Sequence, residues 1–204
     1  MKQKNFTGIK PKTMKTLLTM ILMFSAIAVY AQVTDSRDGK TYSTVNINGQ
    51  VWMSQNLNYS GTGYCYNNLE SNCTLYGRLY TFDQTGSVCM EGWHVPSKTE
   101  VEALYSYLGG IDVAGAKMKK ERSWEGNKDS PASTNTSGFS ATYTGTRWNT
   151  GAYKYLTSSG LYWTSTEVPQ YNSAYYFGVG YYLQNAKLGM FYVDQAAGVR
   201  CVKN

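Results

Sequence analysis

The sequence predicts an α+β domain of mostly antiparallel short strands with one main helix, at about residues 98–108. Three observations predict it: a strand–turn–strand pattern over residues 40–54, a single well-capped amphipathic helix, and a last third that breaks into short β-branched and aromatic segments separated by glycine and serine. Strands, then helix, then a run of strands is the order expected of α+β folds with antiparallel pairing.

Residues 35–39, Asp-Ser-Arg-Asp-Gly, read as a turn. Asp35 and Asp38 lack the alternating ligand spacing and distal glutamate of a calcium loop. Tyr42, Thr44 and Val45 favour a strand, Asn48-Gly49 is a strong two-residue hairpin signal, and residues 50–54 return. Residues 61–74 form a polar loop between Cys65 and Cys73, and 77–82 form a short apolar segment. Pro96, Ser97 and Glu100 then make a helix start: proline stops the preceding segment, and the serine and glutamate have capping-box spacing. Val101, Leu104, Tyr105 and Leu108 fall on one stripe, and Gly109-Gly110 ends the helix. Residues 114–118 suggest one further helical turn, and 119–137, broken by Pro131 and anchored by Trp124, read as a long loop. Strands are expected over 139–143, 161–164, 174–179, 188–193 and 199–202.

The formal charge of +6 raises nucleic acid as a partner, but five lysines and no acid lie within residues 1–31, leaving 14 basic against 13 acidic residues in the remainder. No basic stripe remains for nucleic acid. Residues 1–31 have the parts of a signal peptide: lysines through Lys15, an apolar run over 17–29 that is too short to span a bilayer, and a small-residue site ending at Ala31. Cleavage after Ala31 would leave 32–204 as one domain, with no membrane span, in a secreted, periplasmic or cell-surface location. Met14 is an alternative start.

An exported chain can hold disulfides, and four cysteines allow three pairings. Cys65 with Cys73 would close the small polar loop, leaving Cys89 with Cys201 to anchor the last strand. With a single histidine and these spacings no zinc set assembles, and no metal or other cofactor is expected. His94 stands between Trp93 and Val95 with no nucleophile assigned to it, so a structural role is favoured over catalysis. Glu100 and Glu102 point to different sides of a helix and cannot face each other as a glycosidase pair.

Eighteen of the 19 tyrosines follow the leader, which suits sheet packing and also aromatic contact surfaces. The candidate binding residues are Arg147, Trp148, Glu167, Tyr171, Tyr175 and Tyr181, with Tyr162, Tyr176 and Tyr182 nearby. Trp163, alternating in a strand, is read as core.

Several segments together resemble the Fibrobacter succinogenes major paralogous domain: residues 38–42, Asp-Gly-Lys-Thr-Tyr; 48–53, Asn-Gly-Gln-Val-Trp-Met; 56–59, Asn-Leu-Asn-Tyr; 76–80, Tyr-Gly-Arg-Leu-Tyr; 92–96, Gly-Trp-His-Val-Pro; 138–141, Gly-Phe-Ser-Ala; 162–167, Tyr-Trp-Thr-Ser-Thr-Glu; and 199–202, Val-Arg-Cys-Val. That family occurs in exported and surface proteins of Bacteroidetes-type bacteria. Residues 93–102 and 198–201 are also similar to segments of the formylglycine-generating enzymes, which implies a C-type-lectin-like fold. The enzymes' reactive cysteine pair and the lectins' calcium signatures have no counterpart, so neither activity carries over. The resemblance implies that the first hairpin lies beside the C-terminal strand. The expected function is a non-catalytic binding or adhesion module recognising a glycan or a surface protein. The alternatives are an exported enzyme of that fold and a purely structural surface protein.

Overall fold

The structure, a computed structural model, describes residues 31–120, 133–181 and 183–204. The expected leader up to Tyr30, the loop portion with Trp124 and Pro131, and Tyr182 lie outside the described residues. The chain opens with β1 (Ala31–Thr34), antiparallel to β2 (Thr41–Ile47). In the intervening turn Arg37 forks onto the buried Asp35 carboxylate at 2.9 and 2.7 Å, and donates at 2.7 Å to the Val88 carbonyl. Asn48 and Gly49, at φ of 54° and 85°, then turn β2 into β3 (Gln50–Met53). Positive φ at both central positions is what that dipeptide supplies.

The middle of the chain departs from the single-helix expectation. Four α-helices stand among the described residues: α1 (Glu70–Tyr76), α2 (Thr85–Val88), α3 (Lys98–Tyr107) and α4 (Ile111–Met118). The loop between Cys65 and Cys73 is therefore partly helical, and its polar composition hid that, because a disulfide closes it where apolar periodicity does not. At α3 both capping-box bonds form between Ser97 and Glu100. Gly110, at φ of 100°, ends that turn and starts α4, whose central Gly115 lowers intrinsic helix propensity while packing favours it. Two short strands interleave, β4 (Tyr80–Thr81) and β5 (Trp93–His94).

The last third contains β6 (Thr146–Arg147), β7 (Tyr153–Lys154), β8 (Ser159–Val168), β9 (Ser173–Gly180), β10 (Ala186–Tyr192), β11 (Ala196–Ala197) and β12 (Val202–Lys203). The expected strand over 139–143 is a correction. Ser140 is left-handed at φ of 55°, the carbonyls of Phe139 and Ser140 turn onto Arg200, and only Ala141 bridges, to Lys119. Similarly, 199–201 run beside the continuation of β3 without strand geometry, accepting from Leu57 and Met53 amides at 3.0 Å each.

Strand pairing is antiparallel in three sheets, ordered β1-β2-β3-β12-β5, β10-β9-β8 and β4-β11-β6-β7. Val202 pairs with both Trp52 and His94, so the C-terminal strand sits between the first hairpin and the lead-in to α3. One core cluster joins Trp52, Phe139, Tyr162 and Phe177 to the inner faces of α3 and α4. The other gathers Met53, Leu57, Tyr80, Trp163 and Val199 on the opposite side of β8. Both expected disulfides are present, Cys65–Cys73 and Cys89–Cys201, and no described cysteine is free. Among the described residues no helix is long and apolar enough to cross a membrane.

Candidate functional site

The lead-in to α3 and the end of β8 enclose a cleft of about 520 Å³ lined in part by Phe82, Asp83, Trp93, His94, Ser165 and Glu167. Local structure explains the convergence. The ladder between β8 and β9 slips between Trp163 and Glu167, and such irregularities re-aim side chains. Within the slip the Ser165 amide donates to the Pro96 carbonyl at 2.9 Å, and the Thr166 hydroxyl accepts from the Lys98 amide at 2.9 Å. Thr166 thus faces the start of α3, while Ser165 and Glu167, two residues apart, share the cleft side. Phe82 is held by its amide on the Val193 carbonyl at 3.2 Å, and Trp93 by pairing with Lys203.

His94 opens onto this cleft, but both ring nitrogens are engaged, Nδ1 with Asn204 at 2.6 Å and Nε2 with Glu100 at 2.9 Å. Burial pushes the Glu100 carboxyl up, and hydrogen bonds from the Ser97 amide and hydroxyl and from His94 outweigh it, holding the group below the usual range. Asp83 and Glu167 are both exposed, unlike a buried general acid. The described cysteine–carboxylate cluster of Cys65, Glu70 and Cys73 supplies no thiolate, because its sulfurs are bonded to each other. The arrangement offers flat aromatic surface beside hydrogen-bond acceptors.

The other expected contact residues divide into groups. Glu167 pairs with Ala174 at the end of β8, and Tyr171 and Tyr175 lie close by on the same hairpin, with the Lys98 ammonium 5.3 Å from the Tyr175 ring. Trp148 starts the turn between β6 and β7, and the Arg147 guanidinium lies 4.2 Å from the Tyr64 ring. The two groups meet through one segment: the Val193 amide donates to Asn172 at 3.2 Å, and Asn149 donates to Asp194 at 2.9 Å. Trp148 is 37% exposed and Tyr171 61%. Tyr181 stands at the far end of β9, packed against the first core cluster, and does not join them. Tyr162 is fully buried against Phe177, a correction to its place among the surface candidates, and Trp163 is core. Tyr176 stacks on Phe191 at 4.0 Å.

Sequence reasoning missed Trp93, Phe82 and Asp83 as cleft residues and Tyr192, 59% exposed opposite Ser173, as a neighbouring aromatic. The phase of β10 could have exposed Tyr192, since Phe191 faces the core and its neighbour must face out.

Fold and cleft together define a two-disulfide, mostly antiparallel domain with an aromatic, carboxylate-bearing surface cleft. Residues 45–203 match the family model of the Fibrobacter succinogenes major domain, and the chain belongs to that family. Comparison with curated proteins and with solved structures finds no match.

Proposed function

We propose that this chain is an exported, non-catalytic binding or adhesion module whose partner is a glycan, bound in the cleft between Trp93, Phe82, Asp83 and Glu167. One observation carries the reading: aromatic rings and exposed carboxylates line the same cleft. A sugar has an apolar face that stacks on an aromatic ring and hydroxyls that donate to carboxylates. Tyr171, Tyr192 and Trp148 extend the aromatic surface beside it. The two disulfides suit an oxidising compartment outside the cytosol. Closure of the N-terminal hairpin against the C-terminal strand supports reading the fold as C-type-lectin-like. A protein ligand would use the same aromatics as hot spots.

The second reading, an exported hydrolase, is favoured by Asp83, Glu167 and His94 sharing one cleft. Their exposure and the occupied imidazole weigh against it. A glycan array with residues 32–204 tests both. The expected outcome is retention of a defined glycan set, with Trp93→Ala weakening binding roughly 10-fold while also lowering the melting temperature, because the ring packs against the second core cluster. The exposed-residue variants Glu167→Gln, Tyr171→Ala and Trp148→Ala weaken binding less, at unchanged melting temperatures. Absence of any retained glycan removes the proposal, and release of shortened glycan from the array replaces it with the hydrolase.

A further inference from the structure

Arg200 is the largest charged group in the interior, fully buried between β11 and β12. Its Nε donates to Asn56 Oδ1 at 2.7 Å, its Nη1 to the carbonyls of Met53 and Phe139 at 3.1 and 2.7 Å, and its Nη2 to the Ser140 carbonyl at 2.9 Å. The Phe139 and Tyr162 rings lie 4.8 and 5.3 Å from the guanidinium carbon. Every one of these partners is neutral. Burial pulls the pKa of Arg200 down, opposed by the Tyr162 hydroxyl, and no carboxylate among the described residues takes part. An arginine stays charged even so, and a buried cation without a counterion carries a desolvation cost that dipoles only partly offset.

The same residue lines a pocket of about 290 Å³ that is separate from the Trp93 cleft and shares no residue with it. Lys40, ion-paired with Asp38, and Lys120 also line this pocket, and among the described residues no aspartate or glutamate lines it. Lys40 keeps one of its three N–H groups free after donating to Asp38 and to the Asn58 carbonyl at 3.0 and 2.7 Å. Thr142 Oγ accepts from Asn56 at 3.0 Å, which leaves its own proton to give. Asn58, which also lines the pocket, carries a buried Oδ1 acceptor without a partner among the described residues. Tyr42, pushed up to about 12 mainly by burial, contributes a neutral hydroxyl and no competing negative charge.

We infer that this pocket binds the carboxylate of a single sugar acid, such as a hexuronate, with Lys40, Lys120 and the buried charge of Arg200 facing the anion and Asn58 accepting from a ring hydroxyl. The volume sits at the small end of ligand pockets and matches one sugar ring. The unsatisfied acceptor separates a hydroxylated acid from a simple anion, because sulfate and acetate bring no donor.

Amide-resolved NMR titration of residues 32–204 with glucuronate, galactose, acetate and sulfate tests this site directly. The expected result is saturable glucuronate binding, with shifts centred on Thr41, Gln55, Asn58 and Thr142, weakened by added salt and several-fold by Lys120→Glu. Galactose, acetate and sulfate shift those amides less at equal concentration. Arg200→Met removes the charge together with the hydrogen bonds that join three segments, so it is informative only if folded. Lys120, exposed at the rim, is the decisive variant. No shift at about 10 mM glucuronate, equal shifts with galactose, or shifts with sulfate or acetate as large as with glucuronate overturn the inference. Because the shifts are read at pocket amides alone, none of these outcomes bears on the Trp93 cleft.

Discussion

Glu100 connects three functions of one carboxylate: its oxygens accept from the Ser97 amide at 2.7 Å, the Ser97 hydroxyl at 2.8 Å and His94 at 2.9 Å. It also lies at the positive end of α3, where a negative charge is favoured. Because its folded pKa lies below the ordinary 4.5, the stability it contributes is complete above that value and is lost as pH falls through the folded pKa. Glu100→Gln keeps an acceptor for the cap and removes the charge. It is expected to cost about 0.5–1 kcal/mol near pH 7. The gap should shrink in acid, as pH falls through the lowered folded pKa and wild type becomes protonated as well. Urea midpoints of both proteins at neutral and acid pH check this, and a gap that persists in acid would assign the effect to packing. The pairing of Ser97 with Glu100 was legible in the sequence because a capping box is local. That His94 shares the same carboxylate was not, since a six-residue separation says nothing about which way an imidazole turns.

At the scale of elements, the features legible in the sequence were those whose cause is local. Asn48-Gly49 and the stripe from Val101 to Leu108 each carry their own geometry, and β2, β3 and α3 appear where that geometry requires. The misses share a different cause. Residues 139–143 have strand composition, but Arg200, far along the chain, takes two of their carbonyls, and a hydrogen-bond ladder cannot use the same groups. The first turn of α4, residues 111–113, was missed because Gly109-Gly110 read only as the end of α3, whereas Gly110 is also the N-cap of α4. The glycine in the middle of α4 is chosen by contact: a β-carbon at Gly115 would lie 2.3 Å from the Asn185 carbonyl oxygen, and the Ala116 amide reaches Gln184 at 2.8 Å. Gly115→Ala therefore sets two effects against each other. Alanine gains about 1 kcal/mol of helix propensity, whereas forcing α4 off the backbone leading into β10 costs about 1–3 kcal/mol. The contact is with backbone and cannot swing aside, so net destabilisation of up to about 2 kcal/mol is expected in urea unfolding. A stabilised variant would show that the helix and this segment are not in contact.

Over the whole molecule, the cleft brings together Phe82, Trp93 and Glu167 from three separated segments, and this explains why only Glu167, a lone acid near a strand end, could be singled out from sequence. The closure that assembles them is the meeting of the C-terminal strand with β3 and β5, and the Cys89–Cys201 disulfide ties that meeting point across 112 residues. Cys65–Cys73 spans only 8 and closes a loop around α1. If a cross-link acts by restricting the unfolded chain, the long one contributes about 4.8 kcal/mol and the short one about 2.5. Replacing each pair by alanine is then expected to lower the urea-derived stability more for Cys89/Cys201, by roughly 2 kcal/mol over the other pair. The position of the long bridge sharpens the expectation. Cys89 lines the cleft and Cys201 immediately precedes β12, the partner of Trp93, so its loss should also loosen the aromatic wall. Hydrogen exchange of the Trp93 and Lys203 amides in both double variants separates these effects. Faster exchange at these two amides only without Cys89–Cys201 is the expected pattern, and equal protection in the two variants would reduce the bridge to a constraint on the unfolded chain.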